Sequence, residues 1–425
     1  MFKLVKGNTL VAGAAIYLAS NILNAAIPFA LMPILTRYLS PTEYGEVAMF
    51  QTLLGALAAI VGLSMHGAAG RKFYDGNLSE VELKEFVGSC LQVLLVTSTL
   101  TISIMFATID VLSEWLELGS LWVLLAVPVT AASAIIQLRL GQWQVRNQAK
   151  NYGALQTFQS IVNTLLSLLL VVVFLLGAEG RIVGMVVAMT VAAFLSMWLL
   201  SRDGLLSFFV WRPHFIREIV QFGGPLVPHV GGIFLLTSVD RFVINGKLGL
   251  AETGVYMVAV QLAGALALIF DAINKAYVPW LYERLKRDDK REKRKIVRFT
   301  YAWFCLIACG AVLAFLIGPL VVSLVAGDDF SGAGDVIGWL ALGQVFGGMY
   351  LMVTNYIFFS KRTGLLSFVT VFSGLINVLL LIILIEVFGI LGAAYAFCIA
   401  MAIRFFLTWW VAQMRYPMPW FNLKT

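Results

Sequence analysis

The sequence predicts an all-α polytopic membrane protein with about twelve transmembrane helices in two parallel six-helix bundles. Three observations predict it. Of 425 residues, 60% are hydrophobic and only 12% charged, whereas an ordinary soluble domain is about 25% charged; mean hydropathy is +0.89. Lysine and arginine gather in alternate connecting segments, as they do when they orient membrane helices. The second half of the chain repeats the first in the same order. The composition excludes a water-soluble globule, and the net charge of +7 reflects topology, so no nucleic-acid partner is expected.

Apolar runs long enough to cross about 30 Å of hydrocarbon fall at 9–36, 42–65, 86–108, 119–138, 153–176, 182–201, 218–245, 252–279, 299–325, 335–359, 364–387 and 390–414. The intervals between them leave no room for a soluble catalytic domain, so a non-enzymatic function within the bilayer is expected. One alternate set of segments holds Lys3, Lys6, Arg71, Lys72, Lys84, Arg139, Arg146, Lys150, Arg202, Arg212, Arg217, the basic run around 284–298, Lys361, Arg362, Arg415 and Lys424. The other holds Arg37, Arg181 and Lys247, among the acids Asp110, Glu114, Glu117, Asp328, Asp329 and Asp335. Both termini are therefore expected in the cytoplasm. The opening MFKLVKG does not read as a cleavable signal, because the apolar run after it is too long. The run KRDDKREKRK at 286–295 reads as a solvated cytoplasmic linker, with anionic lipid headgroups as the alternative contact. The cysteines at 90, 305, 309 and 398 lie in apolar runs without metal-ligand spacing and read as packing residues.

Residues 39–60, LSPTEYGEVAMFQTLLGALAAI, align without a gap on 248–269, LGLAETGVYMVAVQLAGALALI. Glu43 and Gly45 match Glu252 and Gly254, a pattern that apolar bias alone does not produce. Further on, Asn163 matches Asn377, and Ile182 and Gly184 match Ile390 and Gly392. Six spans map onto six in the same orientation, so the repeat is parallel, about an axis along the membrane normal. The bundles are expected at 1–205 and 206–425. Such symmetry suits a transporter working by alternating access.

Ionisable groups inside spans are costly and point to function. Arg241, Lys275 and Arg404 are such bases. Asp240 adjoins Arg241, and Asp271 is one helical turn before Lys275, so each pair reads either as a neutralised lock or as part of a cavity. Arg404 has no acidic neighbour in sequence and is the best single candidate for an anionic substrate. The seventh span contains QFGGPLVPHVGG at 221–232, where Pro225 and Pro228 remove backbone donors and a kink or break is expected. His229 lies in that break and suits proton coupling, or a structural hydrogen bond.

The segments ILTRYLSPTEYGEVAMF at 34–50 and DRFVINGKLGLAETGVYMVAVQLA at 240–263, with Asp240-Arg241-Phe242 and Gly254-x-Tyr256, resemble the polysaccharide transporter family, which includes the Wzx-type O-antigen flippases of the multidrug/oligosaccharidyl-lipid/polysaccharide (MOP) superfamily. The resemblance covers essentially the whole chain. It implies a V-shaped pair of bundles around a central cavity in the bacterial inner membrane. It also implies translocation of an undecaprenyl-pyrophosphate-linked oligosaccharide to the periplasmic leaflet, with coupling to H+ or Na+ and no other cofactor. The implied partners are the lipid-linked oligosaccharide, membrane lipids and polysaccharide polymerase or assembly proteins. A cation-coupled multidrug exporter of the same superfamily would want an acidic cavity, and a polysaccharide polymerase or ligase would want a long periplasmic loop.

Overall fold

The computed structural model describes residues 7–75, 79–362 and 364–421, with side chains from residue 19 onward, residue 25 apart. Lys3, Lys6 and Lys424 lie outside the described residues. The described chain is helical throughout: α1 Gly7–Tyr38, α2 Pro41–Leu57, α3 Met65–Lys72, α4 Glu80–Ala107, α5 Ile109–Leu116, α6 Ser120–Val145, α7 Ala149–Leu168, α8 Gly177–Arg202, α9 Pro213–Gly223, α10 Val227–Thr237, α11 Asp240–Leu248, α12 Leu250–Leu285, α13 Lys290–Ala326, α14 Ala333–Phe359, α15 Gly364–Phe388 and α16 Ile390–Arg415. Among the described residues, 11 helical segments are long and apolar enough to cross a membrane.

The second expected span departs from this pattern. It divides into α2 and α3 around Gly62, Leu63 and Ser64, which all take left-handed backbone angles (φ 79°, 46° and 51°). Leu63 and Ser64 each bear a cost of about 1–3 kcal/mol there, so the surroundings must hold the break. Two contacts do so: the Gly62 amide donates to Thr97 Oγ1 at 3.0 Å, and Gly223, at the end of α9, comes so close that a Cβ on it would lie 2.0 Å from the Leu63 carbonyl oxygen. The interruption expected at 221–232 falls beside it, as a 3-10 turn over Gly224–Leu226 that places Pro225 between α9 and α10.

The chain forms two compact units, residues 1–39 with 46–231, and residues 40–45 with 232–425. In the first, Ile136, Leu140 and Trp143 of α6 pack with Leu155 of α7 and Ala192 of α8. Its α4 starts with a capping box in which Ser79 and Glu82 satisfy each other's backbone amides. In the second, α12, α13, α14, α15 and α16 enclose an aromatic core that includes Tyr277, Phe304, Tyr356, Phe405 and Trp420.

The repeat acquires a physical cause in the second unit. Ser40 and Glu43 form a second capping box, Glu43 Oε2 accepting from the Ser40 amide at 2.8 Å, and Pro41 occupies the first helical position, where its missing N–H costs nothing. A Cβ on Gly45 would stand 2.0 Å from the Leu250 carbonyl oxygen, and a Cβ on Gly254 would stand 2.0 Å from that of Pro41. Pro41 is the repeat mate of Leu250, as Gly45 is of Gly254. The two helix starts therefore cross backbone to backbone with local two-fold reciprocity, and glycine is required on both.

The basic run at 286–295 is less of a linker than its composition suggests. Only Lys286–Asp289 separates α12 from α13. Asp289 caps α13 by accepting from the Arg291 amide at 3.0 Å, and Lys293 pairs with Asp288 at 2.5 Å. Lys295 pairs with Glu292 at 2.9 Å and Arg287 with Glu283 at 2.7 Å. The Lys293 ammonium holds the Asp288 carboxyl below the usual carboxylate range. Alternating charges one turn apart let a basic sequence propagate as helix.

Candidate functional site

The bases singled out in the sequence occupy three different environments within the second unit. Arg241 opens α11 with Asp240, both buried. Arg241 Nη1 donates to Asp240 Oδ1 at 2.9 Å and also to the Thr237 carbonyl. The other carboxylate oxygen of Asp240 accepts from Tyr256 Oη at 2.7 Å. The Asp-Arg-Phe and Gly-x-Tyr motifs are thereby one object, a buried clamp between α11 and α12. A lone buried charge would be severely destabilising, and this clamp leaves none alone.

Lys275 and Asp271 form an ion pair of 2.6 Å on one face of α12. Both side chains are about half exposed. Lys275 stands about 38 Å from the start of its helix at 1.5 Å per residue, further than the roughly 30 Å hydrocarbon thickness. It therefore sits toward the end of α12 that carries Arg284.

Arg404 is different. It lies about 21 Å along α16, near the middle of a 26-residue helix. Its guanidinium carbon is 3.8 Å from the centroid of Tyr350 on α14. Its Nε is buried without a hydrogen-bond partner, and among the described residues no carboxylate lies within ion-pair distance of it. An arginine at bilayer depth costs about 2.5–3.5 kcal/mol on insertion scales, and stacking on a tyrosine face returns about 0.5–2 kcal/mol. Among the described residues, no hydrogen bond or ion pair joins Arg404 to Lys275, Asp271, Asp240 or Arg241.

In the first unit, His229 sits in the first turn of α10 with Nδ1 buried and without a partner, and Pro225 and Pro228 beside it are exposed. Two buried bases were missed by reading loops from charge. Charge placement puts Arg139 in a connecting segment, but α6 continues to Val145 and buries its side chain to 1% exposure. There it pairs with Asp203 and stacks on Trp143 at 4.0 Å. Arg181 lies inside α8 and donates to Asn163 Oδ1 at 2.9 Å and to Ser167 Oγ. A π-helical turn over Leu169–Val173 follows Ser167. The signal for Arg139 was available: the stretch LGQWQV follows it with no proline and a single glycine, which a helix tolerates.

The neutral amides at membrane depth hold helices together. Asn355 donates to Asn274 Oδ1 at 2.8 Å, and Asn377 donates to the Leu235 carbonyl at 2.9 Å. Asn163 and Asn377, matched by the repeat, thus do the same kind of work with different partners.

Eleven apolar spans among the described residues, with charge confined largely to their ends, define an all-helical multi-pass membrane protein. Residues 10–284 match the family described as "Polysaccharide biosynthesis protein", and the chain belongs to that family. It is 25% identical over 379 residues to an Lsg-locus protein of Haemophilus influenzae, covering 87% of this chain and 90% of that one. It is 24% identical over 393 residues to a Haloferax volcanii protein named "Probable low-salt glycan biosynthesis flippase Agl15", covering 91% of this chain and 79% of that one. Among solved structures, the lipid II flippase MurJ in an inward closed conformation superimposes with a TM-score of 0.77 at 12% identity, over 93% of this chain and 87% of that one.

Proposed function

We propose that this protein is a flippase that carries an undecaprenyl-pyrophosphate-linked oligosaccharide, the repeat unit of an O-antigen or related surface polysaccharide, from the cytoplasmic to the periplasmic leaflet. The observation that carries the reading is Arg404, a mid-membrane guanidinium stacked on Tyr350 and lacking a carboxylate. A pyrophosphate cannot shed its hydration in about 30 Å of hydrocarbon unless fixed donors replace the water. Guanidinium, planar and permanently charged, matches phosphate oxygens two at a time. Arg241 is committed to Asp240 and Thr237, so Arg404 bears the main contact in this reading, with Lys275 as a second base nearer the membrane edge. Family membership and the name of the Haloferax volcanii relative support the glycan cargo. Alternating access, coupling to H+ or Na+, residence in the bacterial inner membrane with both termini cytoplasmic, and hand-over to polymerase or assembly proteins complete the proposal.

The test is surface polysaccharide in cells whose own copy is deleted and replaced. Arg404→Ala at unchanged membrane abundance is expected to abolish it, and Arg404→Lys to restore only part, because an ammonium cannot make the paired phosphate contacts. Normal surface glycan in Arg404→Ala overturns the assignment. A drug exporter with a cationic cargo would instead depend on Asp271 and leave the glycan untouched.

A further inference from the structure

The first unit carries an apolar groove of about 450 Å3 between α4, α6 and α8, within the range of about 300–1,000 Å3 that accommodates a drug-sized ligand. Leu91, Leu95, Ile135, Phe194, Met197 and Phe208 form its walls. Ala132 and Ala193 form a floor of small side chains between them. The rim residues Leu95 and Phe194 are 55% and 73% exposed, whereas Leu91, Ala132 and Ala193 are buried. It is therefore a trough open to the side and not a gap in the core.

One end is built by the segment joining α8 to α9. Gln92 of α4 donates to the carbonyls of Phe208 at 2.6 Å and Val210 at 3.1 Å. Gly88 allows the segment to lie against α4, since a Cβ there would stand 2.0 Å from the Ser207 carbonyl oxygen. Phe208 is thus fixed across the groove, while Phe209 and Trp211 are 94% and 62% exposed, as aromatics at a lipid–water boundary are.

The same end carries a charge that the protein leaves unanswered. Arg202 lies about 12 Å beyond Phe194 along α8, with its guanidinium 5.5 Å from the ring of Trp198. Among the described residues no carboxylate is within ion-pair distance of it. Its neighbour Asp203 is turned to Arg139, and Arg212 nearby is taken by Glu85 at 2.8 Å. A groove for a chain with a single free guanidinium at its watery end has the polarity of a lipid phosphate.

We propose that this groove holds the isoprenoid tail of a polyprenyl phosphate lipid, with the phosphate on Arg202. The small floor residues between bulky walls leave recesses suited to a methyl-branched chain. The inference rests on the transport reading above, and it adds a docking place on the first unit, distinct from Arg404.

The test is photolabelling of the full-length protein in vesicles of phosphatidylethanolamine and phosphatidylglycerol, with a diazirine-bearing polyprenyl phosphate that lacks any glycan. Labelled peptides are expected to concentrate at 88–98, 128–135 and 190–197, and to be displaced by unlabelled polyprenyl phosphate. Filling the floor with Ala132→Trp and Ala193→Trp is expected to cut labelling by about tenfold, and Arg202→Ala to weaken displacement by a similar factor, the scale of one charge-assisted hydrogen bond. The wild-type map needs no variant and so does not depend on the tryptophan protein folding. Labelling no stronger in the groove than on the exposed face of α13 overturns the proposal, as does groove labelling by an acyl-diazirine phosphatidylglycerol that polyprenyl phosphate does not displace. Glycan-lipid transport by the wild-type protein without groove labelling overturns the groove alone. Groove labelling without transport supports the groove and counts against the transport reading.

Discussion

Gly45→Ala and Gly254→Ala probe the reciprocal crossing of α2 and α12. In either variant the new methyl group would sit 2.0 Å from a backbone carbonyl oxygen, where real side-chain contacts keep at least 3.0 Å. The obstacle is main chain within a helix, so the helices must part by about 1 Å. Overpacking of this kind costs about 1–3 kcal/mol. Alanine's better helix propensity returns about 0.5–1 kcal/mol, leaving a net loss near 1–2 kcal/mol for each. Gly264→Ala is the matched control, since Gly264 belongs to the same repeat but has open space around it; it is expected to be neutral or slightly stabilising. A Cβ on Gly254 would also lie 2.8 Å from the Gly45 nitrogen, so both substitutions strain one crossing and the double variant should lose less than the sum. Thermal unfolding of the purified protein in one detergent, followed by tryptophan fluorescence, reads this as a drop of about 1–2 °C for each single variant of a 425-residue chain. A Gly254→Ala midpoint equal to wild type, or strictly additive losses, would refute the reciprocal contact.

Other substitutions follow from the same geometry. Gly223→Ala would drive a methyl group to 2.0 Å from the Leu63 carbonyl, and faster proteolysis between α2 and α3 is the expected readout. Tyr256→Phe removes the hydroxyl that donates to Asp240, a buried hydrogen bond to a charged group, and should cost about 1.5–3 kcal/mol in chemical unfolding; an unchanged midpoint would deny the clamp. Asp203→Asn strips the buried Arg139 of its carboxylate and should lower thermal stability, whereas Arg139→Met with Asp203→Asn should recover much of the loss. The carboxyl of Asp288 is held below its ordinary value of 3.8 by Lys293. Its contribution to the α12–α13 turn is therefore complete above that value and lost as pH falls below it, which hydrogen exchange at 283–295 would register as deprotection only in acid.

Most spans are legible in the sequence because a membrane admits few alternatives. A run of about twenty apolar residues must satisfy its own backbone, and helix is how it does so. The second span escapes this logic. Ala58–Ser64 reads as apolar and helical, and only tertiary contacts from Thr97 and Gly223 stabilise three successive left-handed residues there. The break near Pro225 was legible because proline removes a donor wherever it stands. Charge placement misled for Arg139 and Arg181, because span limits drawn from hydropathy end at the first base, whereas a helix continues if that base finds a partner inside. Arg404 was legible because no acid lies near it in sequence and, as the structure adds, none lies near it in space. The pairing of Asp240 with Tyr256 was not, since the two motifs bond only after α11 turns into α12.

The central claim, that Arg404 carries a lipid-linked anion across the membrane, is tested most directly in proteoliposomes holding a fluorescent polyprenyl-pyrophosphate oligosaccharide, with a glycosidase added outside. Wild-type protein should expose the inner-leaflet glycan to the enzyme, and Arg404→Ala, equally incorporated, should leave it protected as in protein-free vesicles. Equal exposure by the two proteins would contradict the account.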